Sequence, residues 1–189
     1  FADWFIFGDT IACHWNPNYL SKAVRESGLF EVVEKKIENP EEELDDDIIF
    51  DCRGRPNNYD DYDQLISPVN SVLLARKQYD PSLDFTKAVA TPNGWTFVIP
   101  NMDSVSYGYL YNDKITTKED AQSNFIDLFD VEPTNSIPFK NYVAKSVWKG
   151  ERTILNGNMF SFIEPLEATS SLFYARVIDI VWSGALIKE

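Results

Sequence analysis

Residues 153–171, TILNGNMFSFIEPLEATSS, constrain this chain more than any other stretch. They open as an apolar strand, Thr153-Ile154-Leu155, and break on Asn156-Gly157-Asn158. A second apolar run, Met159-Phe160-Ser161-Phe162-Ile163, leads into Glu164-Pro165-Leu166-Glu167 and then Ala168-Thr169-Ser170-Ser171. Strand, glycine turn, stiff elbow and helix start, in that order, form the local architecture of a ligand site in an α/β protein. Gly157 can take a left-handed backbone or admit a ligand where a side chain would block it. Pro165 fixes its own φ and keeps Glu164 out of the α region. Thr169, Ser170 and Ser171 are all competent caps, and the unpaired N–H groups of the first turn behind them suit an anion. The competing reading is an ordinary β-to-α turn that buries Phe160 and Phe162.

With 189 residues the chain is long enough for one core and reads as one domain or a large part of one. Thirty acidic residues against 17 basic ones leave a net charge of −13. That balance excludes nucleic acid and anionic membrane as partners, since neither is attracted to such a surface. No run approaches the roughly 20 apolar residues of a membrane span, and no cationic signal segment is visible. Cys13 and Cys52 make neither a metal-binding spacing nor a redox pair, so a cytoplasmic compartment is the simple expectation. His14 is the one histidine, which rules out a histidine-cluster metal site, and beside Trp15 it reads as structural. The chain starts Phe1-Ala2-Asp3-Trp4 without a methionine, which reads as part of a longer polypeptide.

Asn16-Pro17-Asn18 predicts a helix start, with Leu20, Ala23 and Val24 on one face and Gly28 as the stop. Residues 30–37 read as an edge strand or hairpin arm. The seven acidic residues within 38–47 read as a solvated loop. Ile48-Ile49-Phe50 is a short buried strand that delivers Asp51-Cys52-Arg53-Gly54 at its carboxyl end. Arg53 and Arg55 balance the acidic loop. Residues 85–90 read as a strand closed by the hairpin signal Asn93-Gly94. Trp95, Phe97 and Ile99 then alternate on one face, and Tyr107, Tyr109 and Tyr111 share a face of the next strand. This predicts a curled antiparallel sheet that either roofs a ligand cavity or simply packs a core. A helix follows, capped by Thr116 with Glu119 or by Thr117 with Asp120, and burying Ala121, Phe125 and Leu128. Short strands are expected over 137–142 and 147–149. The last helix, about 171–187, is apolar on most faces, which predicts burial between layers or domains.

Four motifs resemble the flavin-dependent halogenase family, the tryptophan halogenases and their relatives, in the family's own order. Asp51-Cys52-Arg53-Gly54 matches its aspartate-cysteine-serine-glycine turn. Gly94-Trp95-Thr96-Phe97-Val98-Ile99-Pro100 matches its glycine-tryptophan-x-tryptophan-x-isoleucine-proline strand, with Phe97 in the second aromatic place. Gly108-Tyr109-Leu110-Tyr111 follows as its glycine-tyrosine-valine-tyrosine strand. Residues 162–170 match its late flavin loop. The resemblance implies an α/β fold, a partial FAD-binding Rossmann-like domain of the flavin monooxygenase and halogenase kind, with an antiparallel sheet on the substrate side. Residues 1–189 then form a single partial domain, without the N-terminal dinucleotide fingerprint and the C-terminal helical portion.

By the same resemblance, reduced FAD from a separate flavin reductase reacts with oxygen and a halide ion is oxidised to hypohalous acid. That oxidant reaches an electron-rich aromatic substrate. Glu167 falls on the family's catalytic glutamate. Gly157, Asn158, Pro165 and Leu166 fall on cofactor-binding positions, and Thr169 and Ser170 on the residues whose amides hold the halide. Trp95 and Phe97 stand on the substrate side, and no metal is implied. Asn158 replaces an aspartate, Ser170 a glycine and Ser104 an arginine of the family pattern. No GxGxxG occurs among the eight glycines, and Lys22, Lys35, Lys36 and Lys77 all lie outside the family's catalytic-lysine context. Two further readings stay open: a related FAD monooxygenase that uses no halide, and a non-catalytic domain that binds another protein.

Overall fold

The computed structural model describes residues 16–164, 166 and 170–186. The chain divides into two compact units, Phe1–Ile37 and Glu38–Glu189. In the first, helix α1 spans Pro17–Glu26. The Asn16 side chain accepts from the Asn18 N–H at 2.9 Å, and Pro17 loses nothing at a position whose N–H has no helical partner. Residues 30–37 form no strand. Val32 and Val33 stay exposed, and strand preference expresses itself only through packing on cross-strand neighbours.

In the second unit, six of the seven acidic residues of the 38–47 run are exposed, as a solvated segment requires, and Glu41 is the one drawn into the fold. A short helix, α2, spans Pro40–Glu43. The Glu41 carboxylate accepts from the backbone N–H groups of Glu151 and Arg152 at 3.0 and 3.1 Å and from the Thr153 hydroxyl. The Arg152 guanidinium donates back to the carbonyls of Glu41, Leu44 and Asp46. The hydrogen bond from Thr153 and those from the 151–152 backbone hold the Glu41 carboxyl below its ordinary pKa, against a smaller opposing effect of desolvation.

Strand β1, Ile49–Asp51, leads on to β2, Tyr62–Gln64, and β3, Ser71–Gln78. The hairpin and its neighbour follow as β4, Lys87–Thr91, β5, Gly94–Pro100, and β6, Ser104–Tyr111. After helix α3, Lys118–Phe129, come β7, Asn135–Pro138, β8, Tyr142–Ala144, β9, Trp148–Lys149, and β10, Thr153–Leu155. Strand β11, Ser161–Phe162, and helix α4, Ser170–Leu186, complete the order.

Five strands form an antiparallel sheet in the order β4-β5-β6-β3-β7. Thr96 stands opposite Tyr109, and Leu73 stands opposite Tyr109 on the other side. Leu73, Ala75, Tyr109 and Tyr111 therefore share a face and pack against Ala121 and Phe125 of α3. The opposite face carries Leu110, with Trp95, Phe97 and Phe162 packed around it, Val69 and Phe139. A smaller sheet runs β11-β8-β2. In the third sheet β1 and β10 are parallel, pairing Ile49 with Thr153, and β9 adds antiparallel. A parallel pair whose strands lie this far apart in sequence is the crossover arrangement of an α/β layer.

Helix α3 takes the Thr117 register. The Thr117 hydroxyl accepts from the Asp120 N–H at 3.1 Å, leaving the Thr116–Glu119 alternative unused. Leu128 does not pack into the core as expected and is 51% exposed. Phe129 takes its place, edge-on to Phe125 and Tyr107, because the stripe continues at i+4 from Phe125. Within this chain, helix α4 leaves Leu172, Ile178, Ile180 and Trp182 exposed. Apolar composition makes a helix able to be covered, but only a packed neighbour covers it. Among the described residues no helix is long and apolar enough to cross a membrane.

Candidate functional site

The ends of the parallel pair meet. The Asn156 N–H donates to the Asp51 carbonyl at 3.0 Å, which brings the Asp51-Cys52-Arg53-Gly54 turn beside the glycine turn that follows β10. Asp51 is 2% exposed, and Arg53 grips it with Nε and a terminal nitrogen at 2.9 and 2.8 Å. Burial alone would raise this carboxyl's pKa. The hydrogen bonds and charge of Arg53 outweigh burial and hold it below the ordinary range. Arg53 also donates to the Glu38 carbonyl at 2.9 Å and feels the charge of Glu43, so it both pairs with the buried Asp51 and faces the acidic run. The neighbouring Cys52 thiol is pushed up by desolvation and the Asp51 charge, the opposite of what an activated nucleophile needs.

The glycine turn is a 3-10 turn, Gly157–Met159. The Asn156 side chain accepts from the Gly157 N–H at 2.8 Å and so starts it. Gly157 has φ +60, and a Cβ built on it meets no heavy atom within 4 Å. The left-handed backbone explains the glycine, and the open side leaves room for a ligand to lie against the main chain. Asn158 turns both its polar groups inward. Its carbonyl accepts from the Tyr142 hydroxyl at 2.6 Å and its side-chain oxygen from the Tyr174 hydroxyl at 2.8 Å.

Beyond the turn, β11 pairs with β8 and carries Phe162 onto the sheet face that holds Trp95 and Phe97. The Trp95 indole N–H donates to the Glu164 carboxylate. The segment that enters the Pro165 elbow is thus tied to the aromatic strand. Helix α4 starts at Ser170 and returns to the turn: Phe173 stacks on Phe160 at 5.7 Å, and Asn156 Nδ2 donates to the Tyr174 carbonyl at 3.3 Å. A cavity of about 280 Å³ lies between β11 and the start of α4, lined by Ser161, Ile163, Glu164, Ser170, Tyr174 and Arg176 among others.

Gly157, Asn158 and Ser170 therefore gather around β11 and α4, and Trp95 joins them through Glu164. Leu166 is exposed. Pro165, Glu167 and Thr169 lie outside the described residues. The three tyrosines Tyr62, Tyr142 and Tyr174 were not singled out by sequence reasoning, nor was Glu164 as the partner of Trp95. Among the described residues no group of three or more potential ligands is arranged for a metal.

Comparison with known proteins bears on the family and the fold. The sequence is 31% identical over 102 residues to tryptophan 7-halogenase RebH of Lentzea aerocolonigenes, a stretch that covers 51% of this chain and 19% of that protein. The fold matches tryptophan 6-halogenase SttH of Streptomyces toxytricini with a TM-score of 0.63 at 23% identity, over 87% of this chain and 38% of that one. It matches BrvH, a flavin-dependent halogenase from Brevundimonas sp. BAL3, with a TM-score of 0.62 at 18% identity, over 73% and 31% of the two chains. The aligned region is thus a fifth of the curated relative and under two fifths of the solved structures, and the shared fold is the mixed α/β, Rossmann-like architecture of flavin-dependent halogenases. The tryptophan halogenase family profile matches residues 22–181. The chain belongs to the tryptophan halogenase family.

Proposed function

We propose that these residues form the flavin- and halide-facing part of an FAD-dependent halogenase acting on an electron-rich aromatic small molecule. The observation that carries this reading is the meeting of the Gly157 turn with the first turns of α4, closed by the Tyr174–Asn158 hydrogen bond. Open space beside a positive-φ glycine suits an extended cofactor laid against the backbone. When bound, FAD reduced by a separate flavin reductase would activate oxygen, which supplies the oxidising equivalents. Gly157 and Asn158 bind it, with Pro165 and Leu166 shaping the elbow beside it. The backbone amides of Thr169 and Ser170, at the start of α4, hold the halide, as a helix N-terminus suits an anion. The Glu167 carboxylate accepts a hydrogen bond from the hypohalous acid and orients its halogen toward the aromatic ring, which takes up the halogen and gives up a proton as the oxygen leaves as water. Trp95 and Phe97 present the apolar side that keeps water from the oxidant.

The test replaces Glu167 with glutamine in the full-length polypeptide that carries these residues. With a flavin reductase and chloride or bromide, aryl halogenation is expected to fall by about 10²-fold or more, the usual worth of a positioned acid or base. Flavin reoxidation is expected to stay near the parent rate. Unchanged halogenation would make Glu167 a helix cap, and a parallel fall in both rates would place it in the flavin site.

A further inference from the structure

Three hydroxyls from three separate elements converge on one short turn. Tyr62 of β2 donates to the Met159 carbonyl at 2.7 Å, Tyr142 of β8 to the Asn158 carbonyl at 2.6 Å, and Tyr174 of α4 to Asn158 Oδ1 at 2.8 Å. We infer that Tyr62, Tyr142 and Tyr174 are positioning residues that clamp the Gly157 turn in the conformation that receives the flavin. The inference rests on the flavin reading above and adds to it the residues that make the turn rigid.

A turn like this cannot hold itself. It has three residues, its own backbone bond runs from the Phe160 N–H to the Gly157 carbonyl at 3.0 Å, and short 3-10 turns have poor hydrogen-bond geometry. Gly157 has more conformations to lose than any other residue would have there. A cofactor that met a loose glycine turn would lose affinity to the ordering of that turn, and pre-organisation removes this cost. The tyrosines suit the task because their rings are themselves fixed. Tyr62 and Tyr142 meet edge-on at 5.5 Å, and Tyr59 stands edge-on to both at 5.8 and 4.9 Å. Tyr142 is 1% exposed, so water does not compete for its hydroxyl. All three bonds end on Asn158 and Met159 and are part-buried, whereas a Cβ built on Gly157 meets no heavy atom within 4 Å. Tyr174 has a second effect. It lies one turn into the helix that begins at Ser170, so its bond sets the start of α4 in register with the turn.

The experiment uses Tyr62→Phe, Tyr142→Phe and Tyr174→Phe in the full-length polypeptide, each of which keeps the ring and removes the donor. FAD titration is expected to show about tenfold weaker binding for each, the effect of one buried acceptor left without its donor. Amide hydrogen exchange, measured without FAD, is expected to quicken by about tenfold at 157–160 while β3, β5 and β6 keep the parent rates. In the exchange measurement without FAD, Asn158→Ala should reproduce Tyr174→Phe, and the double variant should be no worse than either single one. Unaltered exchange at 157–160 in all three phenylalanine variants would overturn the clamp. Exchange that rises equally in the five-stranded sheet would also overturn it, by reducing the tyrosines to general core packing. If Tyr142→Phe fails to fold, the other two variants carry the same comparison. A parent protein that binds no FAD would sink the cofactor role together with the flavin reading, whereas the exchange data would still separate a clamped turn from a loose one.

Discussion

A methyl group on Gly108 has no room. A Cβ built there falls 2.1 Å from the Phe97 ring, which lies across the glycine from the paired position on β5. The ring covers a residue that has no side chain of its own, and Trp95 stands edge-on beside it at 6.2 Å. Gly108→Ala must therefore push Phe97 off its seat, and is expected to cost about 1–3 kcal/mol, the usual range for overpacking. Urea denaturation of the two single variants and of Gly108→Ala/Phe97→Ala checks the cause. If the ring is the obstacle, the double variant loses less than the sum of the singles. Equal additivity would mean that the alanine strains the backbone instead. The motif Gly94-Trp95-x-Phe97 and the glycine of Gly108-Tyr109 are thus two halves of one contact, although they read in the sequence as separate signatures.

Among the elements, α3 is the best-anchored helix of the unit Glu38–Glu189. Its Phe125 is fully buried between Tyr109 and Phe129. Its C-terminus ends on Asp130 in the left-handed region, with the Lys77 ammonium donating to the Phe129 carbonyl at 2.7 Å. Phe125→Ala is expected to cost about 3–5 kcal/mol, and Thr117→Ala about 1 kcal/mol through loss of the cap. Thermal or urea unfolding measures both, and a Phe125→Ala cost below that of Thr117→Ala would contradict the packing described. These features were legible because each is local. Period-two alternation announced β5 and β6, Asn93-Gly94 announced the β4–β5 hairpin, and a threonine three residues before an acid announced α3. The Thr153–Leu155 strand and its glycine turn were legible for the same reason. What was not legible depends on distant partners. The Tyr62–Met159 bond joins residues 97 apart, and the Glu41–Thr153 bond joins residues 112 apart. No local pattern distinguishes a tyrosine that clamps from one that packs. Nor could the sequence say that α4 would show an apolar surface, since composition reports what a helix can bury and not what lies against it.

At the scale of the whole molecule, pH should act on stability from both ends, through groups held by specific hydrogen bonds rather than through the net charge of −13. On the acid side, Asp51 and Glu41 both have folded pKa values below their ordinary ones. Their contribution is complete above the unfolded carboxylate values, about 3.9 and 4.3, and is lost as pH falls through the lower folded values. On the alkaline side, burial pushes Tyr142 up to about 12, with the neighbouring Tyr59 adding to it, and burial also raises Tyr62. A raised tyrosine pKa means that the folded state keeps the proton longer than the unfolded chain does. The stability it lends is complete below the unfolded value of about 10 and is lost as pH rises from there toward 12. The Gly157 turn itself should loosen only as pH nears about 12, where Tyr142 ionises in the folded state and a tyrosinate can no longer donate to the Asn158 carbonyl. Urea midpoints measured across the pH range, with tyrosinate absorbance recorded in parallel, provide the check. The parent should show a fall above about pH 10 that Tyr142→Phe largely removes, after both proteins have been compared at high salt to screen the general repulsion among acidic side chains. If Tyr142→Phe falls as steeply as the parent, the alkaline loss belongs to the surface charge and the Tyr142 hydroxyl bond contributes nothing to it.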